Sequence, residues 1–173
     1  MNKAIFLDRD GVINVDKSYV HKLEDLEFHE GLENLGRLND YKIFIVTNQS
    51  GIGRDYYTEN DFKIFNNAIL EHLDSLGIKV IETYYCPHNP DVNCNCRKPK
   101  PTSILEAKAK YDLDLLESWV VGDKASDVQL GVNAGCKTIF IQRQYDKKDS
   151  QPDYAVSSIS DAVNCILRSD DEK

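Results

Sequence analysis

Two carboxylates separated by one residue follow a short apolar run near the start of the sequence. Asp8 and Asp10 come directly after Lys3 to Leu7, with Arg9 between them and Gly11 behind them. Two carboxylates at one strand end repel each other unless a cation or a proton intervenes, so the pair is costly as structure alone. It suits phosphoryl transfer through an aspartyl-phosphate, with Asp8 as the nucleophile and Asp10 as the general acid and base.

Polar residues also follow two later apolar runs. Thr47, Asn48, Gln49 and Ser50 come after the second run, and Asp123 comes after the fourth. A single polar residue at a strand end is ordinarily a turn residue or a helix cap. Three such ends that converge favour a site in which Thr47 donates to phosphoryl oxygens. Mg²⁺ is then expected at Asp8 and Asp123, with the Asp10 carbonyl and water completing its ligands.

The segment CNCRKPKP supplies positive charge after the third apolar run. We predict that Lys98 neutralises the charge of the transferring phosphoryl group, because the helix that opens at Pro101 can add its positive N-terminal end. Arg97 has the fork geometry for a second phosphate or a sugar hydroxyl.

Three cysteines and one histidine cluster just before these basic residues. Cys86, His88, Cys94 and Cys96 give C-x-H-x5-C-x-C, which predicts a closed tetrahedral zinc site. The alternative is reduced surface thiols beside an unrelated histidine, although three exposed thiols would be prone to oxidation. Because all four ligands are protein groups, the expected zinc is structural and braces the loop 86–96.

Composition restricts the class of protein. The chain has 173 residues, 41% of them hydrophobic, and a net charge of −8, so we expect one domain over 1–173. The acidic balance disfavours nucleic acid and anionic membranes as partners. With no apolar run of spanning length and no export signal before the first strand, we expect a soluble cytoplasmic monomer that acts on a small molecule.

The elements that position these groups alternate along the chain. Apolar runs predict five buried strands, at Lys3 to Leu7, Lys42 to Val46, Val80 to Tyr85, Trp119 to Val121 and Thr138 to Ile141. Helices are predicted at about 31–39, from the N-cap Thr58 to Gly77, and at 101–111, 125–134 and 159–167. The alternation indicates an α/β fold, a doubly wound parallel sheet that binds ligands at its carboxyl edge, with a flexible tail at about 169–173.

Four motifs in this order resemble the haloacid dehalogenase (HAD) superfamily of phosphatases. They are Asp8-Arg9-Asp10-Gly11-Val12, Thr47-Asn48-Gln49-Ser50, Arg97-Lys98-Pro99 and Gly122-Asp123-Lys124-x-x-Asp127. The resemblance runs from Ile5 to about Ile141. It implies a Rossmann-like fold without a large cap domain, Asp8 and Asp10 as the catalytic carboxylates, and Thr47 and Lys98 as phosphoryl contacts. It also implies that Mg²⁺ binds Asp8, Asp10 and Asp123.

The zinc loop narrows the resemblance to the branch that acts on heptose bisphosphates and on histidinol phosphate. The heptose substrate, a precursor of lipopolysaccharide or nucleotide heptoses, is preferred because four cations near the site exceed the need of one phosphate. These cations are Lys17, Arg54, Arg97 and Lys124. The branch further implies substrate contacts from Asp16, Lys17, Ser18, Tyr19, Asn48, Gln49, Ser50, Arg97 and Lys124. Asp55 and Thr102 depart from its pattern, since glycine is usual at both positions.

Two other functions are compatible with parts of the pattern. A phosphorylated signalling receiver also has a strand-end aspartate, a threonine and a lysine. Against this reading, Asp10 lies two residues after the nucleophile, where it can act as acid and base for rapid turnover. A catalytically inactive, zinc-braced binding module is the second alternative, although no catalytic position is missing from this sequence.

Overall fold

A computed structural model describes residues 1–143 and 150–172. In these residues six parallel strands form one sheet in the order β3-β2-β1-β4-β5-β6. The strands are β1 (Lys3–Leu7), β2 (Tyr41–Asn48), β3 (Val80–Cys86), β4 (Trp119–Gly122), β5 (Lys137–Ile141) and β6 (Tyr154–Val156). The predicted doubly wound α/β sheet is confirmed, and its five predicted strands are present.

Helices cover both faces of the sheet. They are α1 (Ser50–Gly53), α2 (Glu59–Ser75), α3 (Thr102–Tyr111), α4 (Ala125–Ala134) and α5 (Ile159–Asp171). Alternate residues of each strand point to opposite faces, so Ile5 and Leu7 pack under α2 and α5, whereas Ala4 and Phe6 pack under α3 and α4. Burial on both faces explains why β1 reads as a continuous apolar run.

The start of α2 follows the sequence signal. The Thr58 hydroxyl accepts a hydrogen bond from the Asp61 amide at 3.1 Å, and the Asp61 carboxylate accepts one from the Thr58 amide at 2.8 Å. This reciprocal capping box satisfies two amides that the first turn of a helix leaves without partners. The predicted N-cap is therefore confirmed.

The prediction of an ordinary helix at about 31–39 is wrong. The structure has a 3₁₀ helix there, over Leu32–Arg37, and another at Leu23–Asp25. Leu32, Leu35 and Leu38 are buried and recur every third residue, the spacing that a helix of three residues per turn places on one side. The short strand β6 was also not predicted.

The predicted flexible tail is a second correction. Helix α5 continues through Asp171, and Lys173 lies outside the described residues. The carboxylate of Asp170 accepts hydrogen bonds from the Lys3 ammonium at 2.9 Å and from the Tyr41 hydroxyl at 2.9 Å. These contacts fix the end of the helix against the sheet.

The order of the strands determines where a ligand can bind. From β1 the chain builds the sheet outward through β2 and β3, then returns to place β4 on the other side of β1. Ligands of open α/β sheets bind beyond the carboxyl ends of the strands at such a reversal. Within the described residues, no helix is long and apolar enough to cross a membrane.

Candidate active site

A cavity of 290 Å³ opens at the carboxyl edge of the sheet, where β1 and β4 lie side by side. Of the predicted site residues, those lining it are Asp8, Asp10, Asp16, Ser18, Tyr19, Thr47, Asn48, Gln49, Ser50, Arg97, Lys98 and Lys124. Tyr57 and Ser126 also line the cavity and were not predicted. The fold therefore brings most of the side chains predicted from the strand ends together in this one cavity.

Lys98 lies at the bottom of this cavity between two carboxylates. Its ammonium donates hydrogen bonds to Asp8 Oδ1 at 2.8 Å, to Asp127 Oδ1 at 2.7 Å and to the Val46 carbonyl at 2.8 Å. The side chains of all three charged residues are at most 6% exposed. All three N–H donors of the lysine are thus used, which fixes its ammonium beside Asp8.

These contacts set the protonation of the site. Burial disfavours the charged form of Lys98, but Asp127 and Asp8 outweigh it and raise the pKa of the lysine. Burial likewise opposes ionisation of Asp8, yet the charges of Lys98 and Lys124 hold the pKa of this carboxyl below its usual value. Burial and the negative charge of Asp8 raise the pKa of Asp127. Asp8 is therefore ionised, as a nucleophile must be.

Asp127 reaches Lys98 because Gly122 lacks a side chain. A Cβ atom at Gly122 would lie 2.1 Å from the Asp127 Cβ, closer than two such atoms can approach. Asp127 also accepts a hydrogen bond from the Lys124 amide at 3.1 Å, which caps α4. Its sequence signal was the glycine at the end of β4 followed by an aspartate one helical turn into α4.

Three carboxylates close to this point form a group suited to a cation. Ligand oxygens of Asp8, Asp123 and Asp127 all lie within 4.8 Å of one another, and all three residues are buried. Buried like charges at this separation repel strongly unless a cation is shared. A hard cation that prefers oxygen ligands, such as Mg²⁺, fits this donor set.

Asp10 is held from the protein side by three residues. Its Oδ1 accepts hydrogen bonds from Arg9 Nε at 2.9 Å and Asn14 Nδ2 at 3.0 Å, and its Oδ2 accepts from Gln49 Nε2 at 3.0 Å. Arg9 Nη2 adds a contact to Oδ2 at 3.2 Å. Sequence reasoning had noticed Arg9 between the carboxylates but gave neither Arg9 nor Asn14 a role.

Asn48 and Gln49, predicted as substrate contacts, are engaged within the protein. Asn48 accepts a hydrogen bond from the Lys98 amide at 3.0 Å and donates to the Lys98 carbonyl at 3.4 Å. Gln49 donates to the Thr47 hydroxyl at 2.9 Å as well as to Asp10. The Tyr57 hydroxyl donates to the Gln49 carbonyl oxygen. Both side chains line the cavity and hold neighbouring residues of its wall in place.

The loop after Asp10 forms one wall of the cavity. The Lys124 ammonium donates to Asp16 at 3.1 Å, while Ser18 and Tyr19 adopt φ values of 56° and 53°. Residues other than glycine rarely adopt this left-handed conformation, which is costly and concentrates at functional sites. Lys17 departs from its expected place, because its ammonium pairs with Glu27 at 3.1 Å, outside the cavity lining.

Two arginines near the mouth carry buried nitrogen atoms. Arg97 Nη1 and Arg54 Nε have no hydrogen-bond partner among the residues that the structure describes. The Arg54 guanidinium lies 6.0 Å from the centre of the Tyr19 ring. Asp55, where glycine was expected, has a φ of 60°, the conformation that glycine adopts most readily. Thr102, the other departure, is the first residue of α3.

The predicted zinc ligands come together beside the cavity. Cys86 Sγ lies 3.6 Å from Cys94 Sγ and 3.1 Å from Cys96 Sγ, and His88 Nδ1 lies 3.1 Å from Cys96 Sγ. A tetrahedral zinc with Zn–S bonds of about 2.3 Å would separate its sulfurs by about 3.8 Å. The donor set and spacing therefore fit a closed zinc site.

The thiols of this cluster differ in acidity. Burial raises the pKa of Cys86 to about 12. Burial acts in the same direction on Cys94, but hydrogen bonds from Cys86 and from the Arg97 backbone outweigh it and lower its pKa to about 6. Since zinc binds thiolates, an ion would release the protons that the other thiols retain.

The fold, the carboxylates at the carboxyl edge of the sheet and the buried lysine together define the class of protein, a HAD-like hydrolase that acts as a phosphatase. A HAD-hydrolase-like family profile matches residues 95–162. The structure superposes on D,D-heptose 1,7-bisphosphate phosphatase from B. bronchiseptica, complexed with magnesium and phosphate, with a TM-score of 0.84 and 28% identity over 96% of this chain and 99% of that one.

Sequence comparison narrows the class. The chain is 46% identical to D-glycero-alpha-D-manno-heptose-1,7-bisphosphate 7-phosphatase of Campylobacter jejuni over 84% of this chain and 86% of the relative. It is also 46% identical to D-glycero-beta-D-manno-heptose-1,7-bisphosphate 7-phosphatase of Helicobacter pylori over 79% of this chain and 81% of the relative. The chain belongs to the family of D-glycero-D-manno-heptose-1,7-bisphosphate 7-phosphatases.

Proposed function

We propose that this phosphatase removes the 7-phosphate of D-glycero-D-manno-heptose 1,7-bisphosphate and leaves the sugar 1-phosphate. The observation that carries the reaction is the buried contact between Lys98 and Asp8 at the cavity floor, 2.8 Å long, with Asp10 beside it. The relatives that bear this activity in their names, at 46% identity, support the substrate.

In the first step the carboxylate of Asp8 attacks phosphorus. A bond forms between Asp8 and phosphorus, the bond from phosphorus to the sugar oxygen breaks, and Asp10 gives its proton to that oxygen. Thr47 would donate to the phosphoryl oxygens, and Lys98 would stabilise the charge that develops there through its own positive charge, since its three hydrogen bonds go to protein groups. Asp8 enters this step ionised because Lys98 and Lys124 lower its pKa.

In the second step Asp10, now a carboxylate, takes a proton from water. The water oxygen bonds to phosphorus, the bond between Asp8 and phosphorus breaks, and inorganic phosphate leaves. Asp8 returns to its starting state. The four hydrogen bonds that Asp10 accepts hold its carboxyl group in one orientation for both proton transfers.

Magnesium is the metal that we assign to the floor of the site. Asp8, Asp123 and the Asp10 carbonyl would hold it, and Asp127, which sequence reasoning left out of this set, lies in the same carboxylate group. When bound, the ion supplies positive charge that offsets the phosphoryl oxygens. Zinc, by contrast, is assigned to Cys86, His88, Cys94 and Cys96 as a brace without catalytic duty.

The rim of the cavity favours a substrate with two phosphates. Arg97 and Lys124 line the cavity in addition to Lys98, and because the Lys124 ammonium already pairs with Asp16 at 3.1 Å, Arg97 is the better placed of the two for a second phosphate. Cations that a second phosphate would pair are left unpaired when it is missing, so such contacts discriminate strongly. Histidinol phosphate, the alternative substrate, brings a positive charge toward these cations and is therefore disfavoured.

We further infer that 1–173 works as one domain, a cytoplasmic monomer that uses neither nucleic acid nor membrane. The net charge of −8 opposes binding to polyanions. The five cysteines form no disulfide, as suits a reducing compartment. Gel filtration coupled to light scattering would measure the mass, which we expect to match a single chain.

A substrate screen tests the assignment directly. Purified protein is assayed with both anomers of the heptose bisphosphate, with sugar monophosphates and with histidinol phosphate, and kcat/KM is compared. We expect the heptose bisphosphate to lead by at least about tenfold, and chelation to stop turnover until Mg²⁺ is restored. Equal or better kcat/KM on histidinol phosphate would reassign the substrate while leaving the roles of Asp8 and Asp10 unchanged.

A further inference from the structure

The arginine between the two catalytic carboxylates is one of the largest fully buried side chains in the described residues. Arg9 is 1% exposed, and its guanidinium carbon lies 4.9 Å from the centre of the Phe65 ring and 5.3 Å from that of Phe62. A buried cation is costly unless it is paired and hydrogen-bonded. Its burial beside the active site therefore requires a compensating partner.

That partner is Asp10. Arg9 Nε donates to Asp10 Oδ1 at 2.9 Å and Arg9 Nη2 to Asp10 Oδ2 at 3.2 Å, so the planar fork grips both oxygens of one carboxylate. The two phenylalanine rings pack against the guanidinium, within the range of a cation–π contact. The geometry fixes rotation of the carboxylate about its own bond as well as its position.

Asn14 donates a further hydrogen bond to the Asp10 carboxylate. This residue is 0% exposed and donates to Asp10 Oδ1 at 3.0 Å. Its backbone is tied into the same turn, because the Gly11 amide donates to the Asn14 carbonyl at 2.7 Å and the Asn14 amide to the Arg9 carbonyl at 3.3 Å. The turn from Arg9 to Asn14 thus folds back to hold the carboxylate that it carries.

We infer that Arg9 and Asn14 are positioning residues for Asp10 that act through this carboxylate and do not touch the substrate. The inference rests on the proposed function, in which Asp10 protonates the leaving oxygen and later deprotonates water. Both transfers need a donor and an acceptor within about 2.6–3.2 Å, and a misplacement of about 1 Å can cost about 100-fold in rate. A carboxylate free to rotate would lose this alignment in both steps.

The two steps can be separated with 4-nitrophenyl phosphate. Its leaving group departs without a proton, so phosphorylation of Asp8 from this substrate bypasses Asp10, whereas hydrolysis of the phosphoenzyme does not. Rapid-quench kinetics on Arg9→Met and Asn14→Ala should show 4-nitrophenolate release in the first turnover within about threefold of the parent rate. Phosphoenzyme hydrolysis should slow by about 10–100-fold for Arg9→Met and less for Asn14→Ala. We therefore expect these variants to release a burst of about one 4-nitrophenolate per active site and to accumulate phosphoenzyme.

Two reference variants calibrate the result. Asp10→Asn sets the full loss of the second step, and Ile166→Ala, a core residue of α5 that is 1% exposed, supplies a loss of stability away from the site. Ile166→Ala is expected to leave the ratio of the two rates unchanged. Arg9→Lys keeps the charge but cannot bridge both oxygens, so its loss should fall between the parent and Arg9→Met.

Equal slowing of both phases in Arg9→Met and Asn14→Ala would overturn the inference, because that pattern indicates a structural role alone. If Arg9→Met does not fold, Arg9→Lys and Asn14→Ala decide, and each must slow the second phase selectively. Absence of any phosphoenzyme in both the parent and Asp10→Asn would instead overturn the aspartyl-phosphate mechanism, so the two failures are distinguishable.

Discussion

The floor of the cavity and its rim differ in how completely their polar groups are hydrogen-bonded within the protein. The floor, formed by Asp8, Lys98 and Asp127, is buried, and every hydrogen-bond donor of its lysine is used. At the rim, Ser18 and Tyr19 have left-handed backbone, and Arg97, with Arg54 beside Tyr19, carries a buried nitrogen that the described residues do not pair. The floor is preorganised before substrate arrives, whereas the rim keeps polar atoms that the described residues leave without a partner.

This contrast separates chemistry from selection. In the proposed mechanism, preorganised charges at the floor act on the phosphoryl group, which every phosphomonoester shares, so their loss should lower kcat. Rim groups meet the part of the substrate that differs between compounds, so their loss should raise KM. The predictions below test this division, starting with the largest expected effect.

Asp8→Asn should lower kcat by at least about 10⁴-fold, because the amide keeps the volume but cannot form the phosphoenzyme. The Asn Oδ1 can still accept from Lys98, so the melting temperature should change little. Steady-state assays and thermal unfolding measure both quantities. Asp74→Asn, the same change at an exposed site on α2, is the control. Activity within tenfold of the parent for Asp8→Asn would end the covalent mechanism.

Lys98→Met should lower activity by about 10³-fold and the free energy of unfolding by about 3–5 kcal/mol, because Asp8 and Asp127 then face each other unpaired. Chemical denaturation and initial rates measure these losses. Lys100→Met, two residues away and exposed, should cost at most about 1 kcal/mol.

A double variant sharpens the test at the floor. Lys98→Met with Asp127→Leu should recover part of the lost stability, since one buried charge is gone, but none of the activity. Recovery of turnover in the double variant would show that Lys98 only neutralises Asp127.

Cys94→Ser should release zinc, lower the melting temperature by several degrees and reduce kcat by about tenfold, because the loop it braces leads into Arg97 and Lys98. Metal analysis and calorimetry check this. Cys165→Ser, a thiol outside the cluster, should keep one zinc per chain and the parent rate. Purified protein without zinc and with a fully stable loop would contradict the tetrahedral assignment.

Arg97→Gln should give the smallest effect, a rise of about tenfold in KM for the bisphosphate with kcat nearly unchanged. The KM for a monophosphate should move by less than about threefold, because no second phosphate is present to lose its partner. Lys17→Gln is the matched control, since its ammonium pairs with Glu27 and should not affect either KM. A similar rise for both substrates would place Arg97 at the reacting phosphate.

The sequence predicted best what burial and chain order dictate. Lys3–Leu7 packs on both faces of the sheet and reads as a continuous apolar run, so β1 and the position of Asp8 at its end were predictable. The clustering of three cysteines and a histidine was predictable because such a set in one loop has few uses other than holding a metal.

Contacts that depend on how side chains fit were not predictable. Lys17 pairs with Glu27 because the loop turns away from the cavity, and no local pattern records that turn. Asn48 binds the Lys98 backbone fifty positions later, which only the finished sheet brings near. β6 has three residues, two of them exposed, and so lacks the apolar run that marks a buried strand.

The two ends of the cysteine loop, residues 86–96, are held to the sheet by contacts that need no metal. The chain leaves the sheet where the Cys86 carbonyl accepts from the Gln49 amide at 2.8 Å, and it returns where Lys98 meets Asn48. Exit and re-entry are thus fastened to adjacent residues of the same segment. The stretch between them is closed at its base by these two hydrogen bonds as well as by its own metal ligands, so loss of the metal should loosen the loop while the base keeps part of the placement of Lys98.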